Sequence, residues 1–205
     1  MPQIPIIKDL TKGPVPLGCN LLVEFDPTSE WYNASVSIAA GWLKSGGTVQ
    51  YWSFAQPPQD IRTQLQRLGL DSESSEKQGR LQIWDGYTAT LGLKSTEAFA
   101  LQSLKAAELS IMVTKEVMRA PAMPDCLVIT DSFSVLDRFN YSKAWVEYIL
   151  TRVIPARKLR KMPSIRGILR GVHNDWTYRQ LEASVDGVVD FKLDESKDPL
   201  PDQKL

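Results

Sequence analysis

The chain has a single histidine, His173, and two cysteines, Cys19 and Cys126, far apart in sequence. That scarcity excludes a histidine- or cysteine-rich metal cluster and a disulfide framework. Two isolated thiols suit a reducing compartment. There is no excess of charge of either sign, with 24 basic and 24 acidic residues. Whole-chain charge therefore gives no reason to expect a nucleic-acid partner. No stretch approaches the roughly 18 consecutive apolar residues of a membrane span. The N-terminus has no basic region followed by an apolar signal core, so no membrane association and a cytoplasmic location are expected. No internal repeat or low-complexity tract is present. One local absence matters more than these. The loop following the first apolar strand pattern, residues 25–32, contains neither glycine nor lysine.

What is present is an alternation of strand and helix patterns. Residues 1–20 are predicted to form an irregular, proline-rich arm and lead-in, residues 21–193 a single domain, and residues 194–205 a flexible acidic tail. Strands are predicted over 20–25, 48–54, 81–84, 126–130, 166–172 and 188–193. Helical spacing predicts helices over 31–44, 59–68, 96–119 (with a break) and 141–154, with Pro155 interrupting or redirecting the last. Residues 71–79 are polar and predicted to be exposed, and 85–96 is predicted to be a loop. Cys126–Thr130 is an unbroken apolar run, the pattern of a strand buried on both faces. Together these predict an α/β domain with a mostly parallel sheet covered by helices on both faces. Such sheets place their sites beyond the C-terminal strand ends. That rule gathers residues 26–32, 54–56, 131–134 and 173–175 on one edge.

The order of segments resembles the RecA-like P-loop NTPase fold, and within it the KaiC/RadA-like branch common in archaea. Pro14-Val15-Pro16-Leu17-Gly18 resembles that family's lead-in to its first strand. Leu43-Lys44-Ser45-Gly46-Gly47 and Tyr51-Trp52-Ser53-Phe54 resemble the end of its first helix and its second strand. Leu127-Val128-Ile129-Thr130-Asp131-Ser132 resembles its Walker B strand, and Val185-Asp186-Gly187-Val188-Val189 its alanine-aspartate-glycine segment. In that register Phe25 to Tyr32 occupy the phosphate-binding pattern G-x-x-x-x-G-K-[ST]. Phe25 replaces the first glycine, Glu30 the second, Trp31 the lysine and Tyr32 the small hydroxyl residue.

A phosphate cradle needs converging backbone N–H groups, glycines where side chains would intrude, a lysine, and a small hydroxyl for Mg²⁺. Here Asp26 and Glu30 add repelling carboxylates instead. The resemblance thus implies a degenerate P-loop, no nucleotide cofactor, and no ordinary ATPase activity. Ser29 or Thr28 is expected to cap the following helix. The helix terminus could alternatively hold an anion. Trp31 and Tyr32 either fill the vacated site or present an aromatic surface to a partner.

The remaining candidates lie on the same edge. Gln56 stands where the family carries a glutamate that orients water. Asp131 stands at the Walker B position and is expected to cap the following turn or bond Ser132 or Ser134. His173 is expected to pack or hydrogen-bond at the pocket edge. Ser132, His173 and Asp131 have the residue types of a hydrolase triad, but Ser132 lacks the G-x-S-x-G elbow.

A charge feature lies elsewhere. Arg152, Arg157, Lys158, Arg160, Lys161, Arg166 and Arg170 fall in a stretch without Asp or Glu. They are candidates for contacting nucleic-acid phosphates or the acidic surface of another subunit, with the acidic segment 186–202 as an internal alternative. The leading expectation is a non-catalytic RecA-like protein acting as a regulatory or scaffolding subunit, as a homo-oligomer or with a partner protein. The alternative is a nucleic-acid-binding RecA-like protein. A more distant resemblance, to the small RecA-like subunits of the Elongator complex, implies ring assembly and tRNA engagement.

Overall fold

The computed structural model describes residues 15–116 and 125–192. The expectations for the N-terminal arm up to residue 14, for the helix beyond residue 116 and for the acidic tail lie outside the described residues. The sheet has seven strands: β1 Asn20–Phe25, β2 Thr48–Ser53, β3 Leu81–Asp85, β4 Phe99–Ala100, β5 Cys126–Thr130, β6 Ser164–Leu169 and β7 Gly187–Phe191. Their order is β4-β3-β2-β5-β6-β1-β7, and every pair is parallel.

Side-chain alternation along each strand splits the core into two layers. Leu21, Val23 and Phe25 of β1 face a layer with Val36, Leu43, Ile61 and Leu65 from the helices Trp31–Lys44 and Pro58–Arg67. Leu22 faces the opposite layer, with Leu109, Trp145, Ile149 and Ile154. β5 is buried along its whole length, as its unbroken apolar pattern requires. No described helix is long and apolar enough to cross a membrane.

Departures from the predicted elements have identifiable causes. The polar stretch 71–79 is not simply exposed. It forms the helix Ser72–Lys77, capped by Asp71 Oδ1 accepting from Ser74 N at 2.9 Å, with Ser72 and Ser75 buried. Within 85–96 a helical turn, Tyr87–Thr90, is anchored by Asp85, which accepts from Thr88 N at 2.9 Å and the Ser95 hydroxyl at 2.6 Å. The helix predicted from residue 96 starts only at Ala106. Before it, Phe99 packs on Trp84, ring centroids 5.1 Å apart, and the chain adds β4 to the sheet. The helix start is fixed by Asn140 Oδ1, which accepts from Ala106 N at 2.7 Å.

The helix predicted over 141–154 changes its winding just before Pro155 rather than ending there. The α-helix Ser142–Tyr148 widens into a π segment, Ile149–Val153, and continues as Ile154–Leu159. Proline then sits at the start of a helical stretch, where its missing N–H costs little. β6 begins at Ser164 rather than 166, because Ser164 N donates to Cys19 O at 2.8 Å and extends the ladder with β1.

Candidate functional site

The chain leaves β1 through a tight turn. Ser29 donates to Asp26 O twice, from its backbone N–H at 3.0 Å and its hydroxyl at 2.7 Å. Ser29 is therefore engaged in the turn and does not cap the helix, contrary to expectation. Glu30 occupies the cap position without a side-chain capping bond, and its carboxylate accepts from the Asn33 amide. Asp26 lies 3.7 Å from Arg170 Nε.

Trp31 turns inward and is 1% exposed. Its indole Nε1 donates to the backbone carbonyl of Asp131 at 2.7 Å. The ring stacks on Phe25 at 6.0 Å and meets Phe191 edge-on at 5.8 Å. This bond reaches across β6, where residue 167 is glycine. A Cβ there would lie 2.3 Å from both the Asp131 carbonyl oxygen and the Trp31 indole nitrogen. Tyr32 is half-buried, edge-on to Phe25 at 5.5 Å. Burial raises the pKa of its phenol, and the nearby Ser132 side chain opposes the shift.

The Asp131 carboxylate is fully buried and accepts from four backbone N–H groups. These are Phe54 at 2.9 Å, Ala55 at 2.9 Å, Gln56 at 3.2 Å and Ser132 at 2.6 Å. It bonds Ser132, as expected, but chiefly ties down the loop after β2 rather than the turn after its own strand. Burial pushes its pKa up to about 7 against the pull of those donors. The Gln56 side chain points away from this carboxylate, with Nε2 3.4 Å from Tyr51 Oη and Oε1 accepting from Gln64 at 3.3 Å.

Beyond these residues lies a cleft of about 400 Å³ bounded by Tyr32, Phe54, Tyr87, Ser132, Ser134 and His173. His173 packs between Trp145 and Tyr178, with centroids at 5.5 and 5.7 Å. Its Nε2 is 2.8 Å from Ser134 Oγ, and its Nδ1 is 3.9 Å from Asp137 Oδ2. Burial lowers the imidazole pKa, opposed by Asp137. His173 thus packs and hydrogen-bonds at the pocket edge, as expected, although not with the Ser132 and Asp131 that share a triad's residue types. The fold groups it with Ser134 and Asp137 instead, both on the 3₁₀ turn Phe133–Arg138. Only the three-residue spacing of Ser134 and Asp137 hints at this. The set falls short of a hydrolytic triad. The Asp137–His173 separation exceeds a hydrogen bond, and Ser134 Oγ already accepts from Leu169 N at 2.8 Å.

The basic stretch does not form one surface. Arg157, Arg160 and Arg166 are buried, at 3%, 7% and 1% exposure, which corrects their expected role as contacts for an external polyanion. Arg170 is half-buried among Glu24, Asp26 and Asp190. Lys158 is exposed but pairs with Asp186 at 3.0 Å. The described part of the acidic segment thus supplies partners for two of the seven cations. Arg152 and Lys161 are exposed on the surface.

No family model matches this chain, and no curated protein sequence matches it. Solved structures do. An uncharacterized protein from Pyrococcus horikoshii, PH0321, crystallised in complex with an unknown peptide, superposes with a TM-score of 0.66 at 18% identity. The match covers 90% of this chain and 82% of that one. The flagellar accessory protein FlaH from Methanocaldococcus jannaschii gives a TM-score of 0.62 at 14% identity, covering 92% of this chain and 78% of its own. The fold is the RecA-like P-loop NTPase architecture.

Proposed function

We propose that this chain is a non-catalytic RecA-like protein that works through protein–protein assembly, as a regulatory or scaffolding subunit. The observation that carries the reading is the buried Trp31 indole, bonded to the Asp131 carbonyl in the register where the fold's lysine would serve phosphate. The residues present do not fit a Mg²⁺-nucleotide. The carboxylate at the Walker B position is committed to four backbone N–H groups. The loop after β1 offers carboxylates where a cradle needs glycine and lysine.

The structural neighbours lend the reading its partner-binding side. One is an accessory protein and the other was crystallised with a peptide. The nucleic-acid alternative is weaker, because Arg157, Arg160 and Arg166 are withdrawn into the fold.

Sedimentation velocity on the full chain, paired with calorimetric titration of Mg-ATP, tests the proposal. Concentration-dependent association or a discrete oligomer is expected, with no saturable heat at millimolar nucleotide. A monomer at every concentration that binds Mg-ATP saturably would overturn it. Salt-sensitive binding to single-stranded RNA or DNA would favour the alternative.

A further inference from the structure

On the sheet face opposite Trp31, two arginines lie inside an apolar layer. Arg166 on β6 is 1% exposed, and Arg157 on the helix Ile154–Leu159 is 3% exposed. Both line a cavity of about 20 Å³, otherwise walled mainly by apolar side chains such as Trp52, Val128, Phe133 and Ile149. The Arg157 guanidinium lies 5.8 Å from the Trp52 ring centroid, and that of Arg166 5.9 Å from Phe133.

The polar groups they bond are neutral. Arg157 Nη1 reaches Gln50 Oε1 at 3.3 Å and the Met162 sulfur at 3.7 Å. Arg166 Nη1 donates to Asn20 Oδ1 at 2.8 Å. Among the described residues, no carboxylate lies within ion-pair distance of either guanidinium. Arg166 Nη2 and Trp52 Nε1 are buried without a hydrogen-bond partner. A buried cation without a counter-charge is strongly unfavourable, and arginine does not escape by losing its proton at neutral pH.

We propose that this cavity is a buried anion site, taking one inorganic anion of chloride size between Arg157, Arg166 and the Trp52 indole N–H. The volume sets the size. About 10–15 Å³ of such space admits one water, so the cavity suits a monatomic halide and is too small for phosphate or sulfate. The charge sets the sign: the two guanidinium groups and the indole N–H only donate, and the Thr130 and Tyr148 hydroxyls that also line the cavity can donate as well. The π segment Ile149–Val153 forms part of the wall through Ile149 and Val153. Such widened turns occur preferentially at functional sites. An anion here would pin the helical layer to β6 and make the stability of the fold respond to halide.

Thermal unfolding of the full chain tests this, with gluconate replaced stepwise by chloride at constant ionic strength. The midpoint is expected to rise saturably, by about 5 °C. Crystals grown in bromide are expected to show an anomalous peak in the cavity. Arg166→Met should abolish the chloride response while unfolding in gluconate no earlier than the parent chain. Arg152→Met, at an exposed cation on the same helical layer, should keep the response. Coincident curves in chloride and gluconate for the parent chain would overturn the assignment, as would a full response in Arg166→Met. Should Arg166→Met fail to fold, Trp52→Phe keeps a ring and deletes the unpaired N–H. A halide response unchanged in that variant would equally overturn the site.

Discussion

Replacing Trp31 measures how far the loop after β1 has become part of the core. The indole is 1% exposed, touches Phe25 and Phe191, and donates to the Asp131 carbonyl at 2.7 Å. Trp31→Ala removes a fully packed ring, and such truncations cost about 3–5 kcal/mol. It also leaves a buried carbonyl without its donor, a further contribution of about 1 kcal/mol. Partial collapse of Tyr32 and Phe191 into the space offsets some of this, so about 4 kcal/mol is expected. That is a large share of the about 5–15 kcal/mol that stabilises a typical domain. Trp31→Phe retains most of the ring and loses only the N–H and some volume, for about 1–2 kcal/mol. Urea unfolding followed by far-ultraviolet circular dichroism reads both values. Trp176→Ala, at a tryptophan that is 40% exposed, serves as the comparison and should cost less than about 1 kcal/mol. A cost below about 1 kcal/mol for Trp31→Ala would refute the reasoning, because a ring poised to move aside for a ligand would leave little behind.

Gly167→Ala should be among the most damaging single-methyl changes in the chain. Its Cβ would sit 2.3 Å from the Asp131 carbonyl oxygen and the Trp31 nitrogen. A loss of about 3 kcal/mol or more is expected in the same urea assay, and near-neutral behaviour would contradict the close crossing of β6. Asp131 predicts a pH dependence. Its folded pKa, about 7, lies above its unfolded value, so the folded chain holds the proton longer. This contribution is fully present below the unfolded pKa of about 4 and is lost as pH rises through about 7. Its full size is about 4 kcal/mol. Asp131→Asn should flatten that decline while lowering stability overall, since an amide presents its NH₂ to backbone donors. An unchanged slope in urea midpoints across that range would remove the assignment. His173 behaves in the opposite sense. Its folded pKa is lowered, so its contribution is present above the unfolded value near about 6.5 and is lost as pH falls through the folded one. Imidazole proton chemical shifts should therefore titrate below the ordinary histidine midpoint, and a midpoint above it would contradict the buried packing.

Much of the architecture is local information. The apolar run Leu21–Leu22–Val23, the aromatic strand around Tyr51 and Trp52, and the unbroken run of β5 carry their strand character in a few adjacent residues. The helix Trp31–Lys44 is delimited by its own spacing and by Gly46-Gly47. Side-chain periodicity is set by backbone geometry over short distances, so it survives in sequence. The helix start at Ala106 did not, because its cap is Asn140, more than thirty positions away. The partners of His173 were not legible for a similar reason. They are Ser134 and Asp137, which the 3₁₀ turn rotates toward the imidazole.

The sequence by itself determined the alternating α/β plan, the resemblance to RecA-like domains, and a loop at Phe25–Tyr32 that lacks the glycines and lysine of a phosphate cradle. Tertiary structure alone decided where Trp31 goes, because its hydrogen-bond acceptor lies a hundred residues away across a glycine of β6. It also decided that the basic stretch is not one surface. Consecutive cations on a helix and a strand project in different directions, and the direction that leads inward is fixed only when the layers pack.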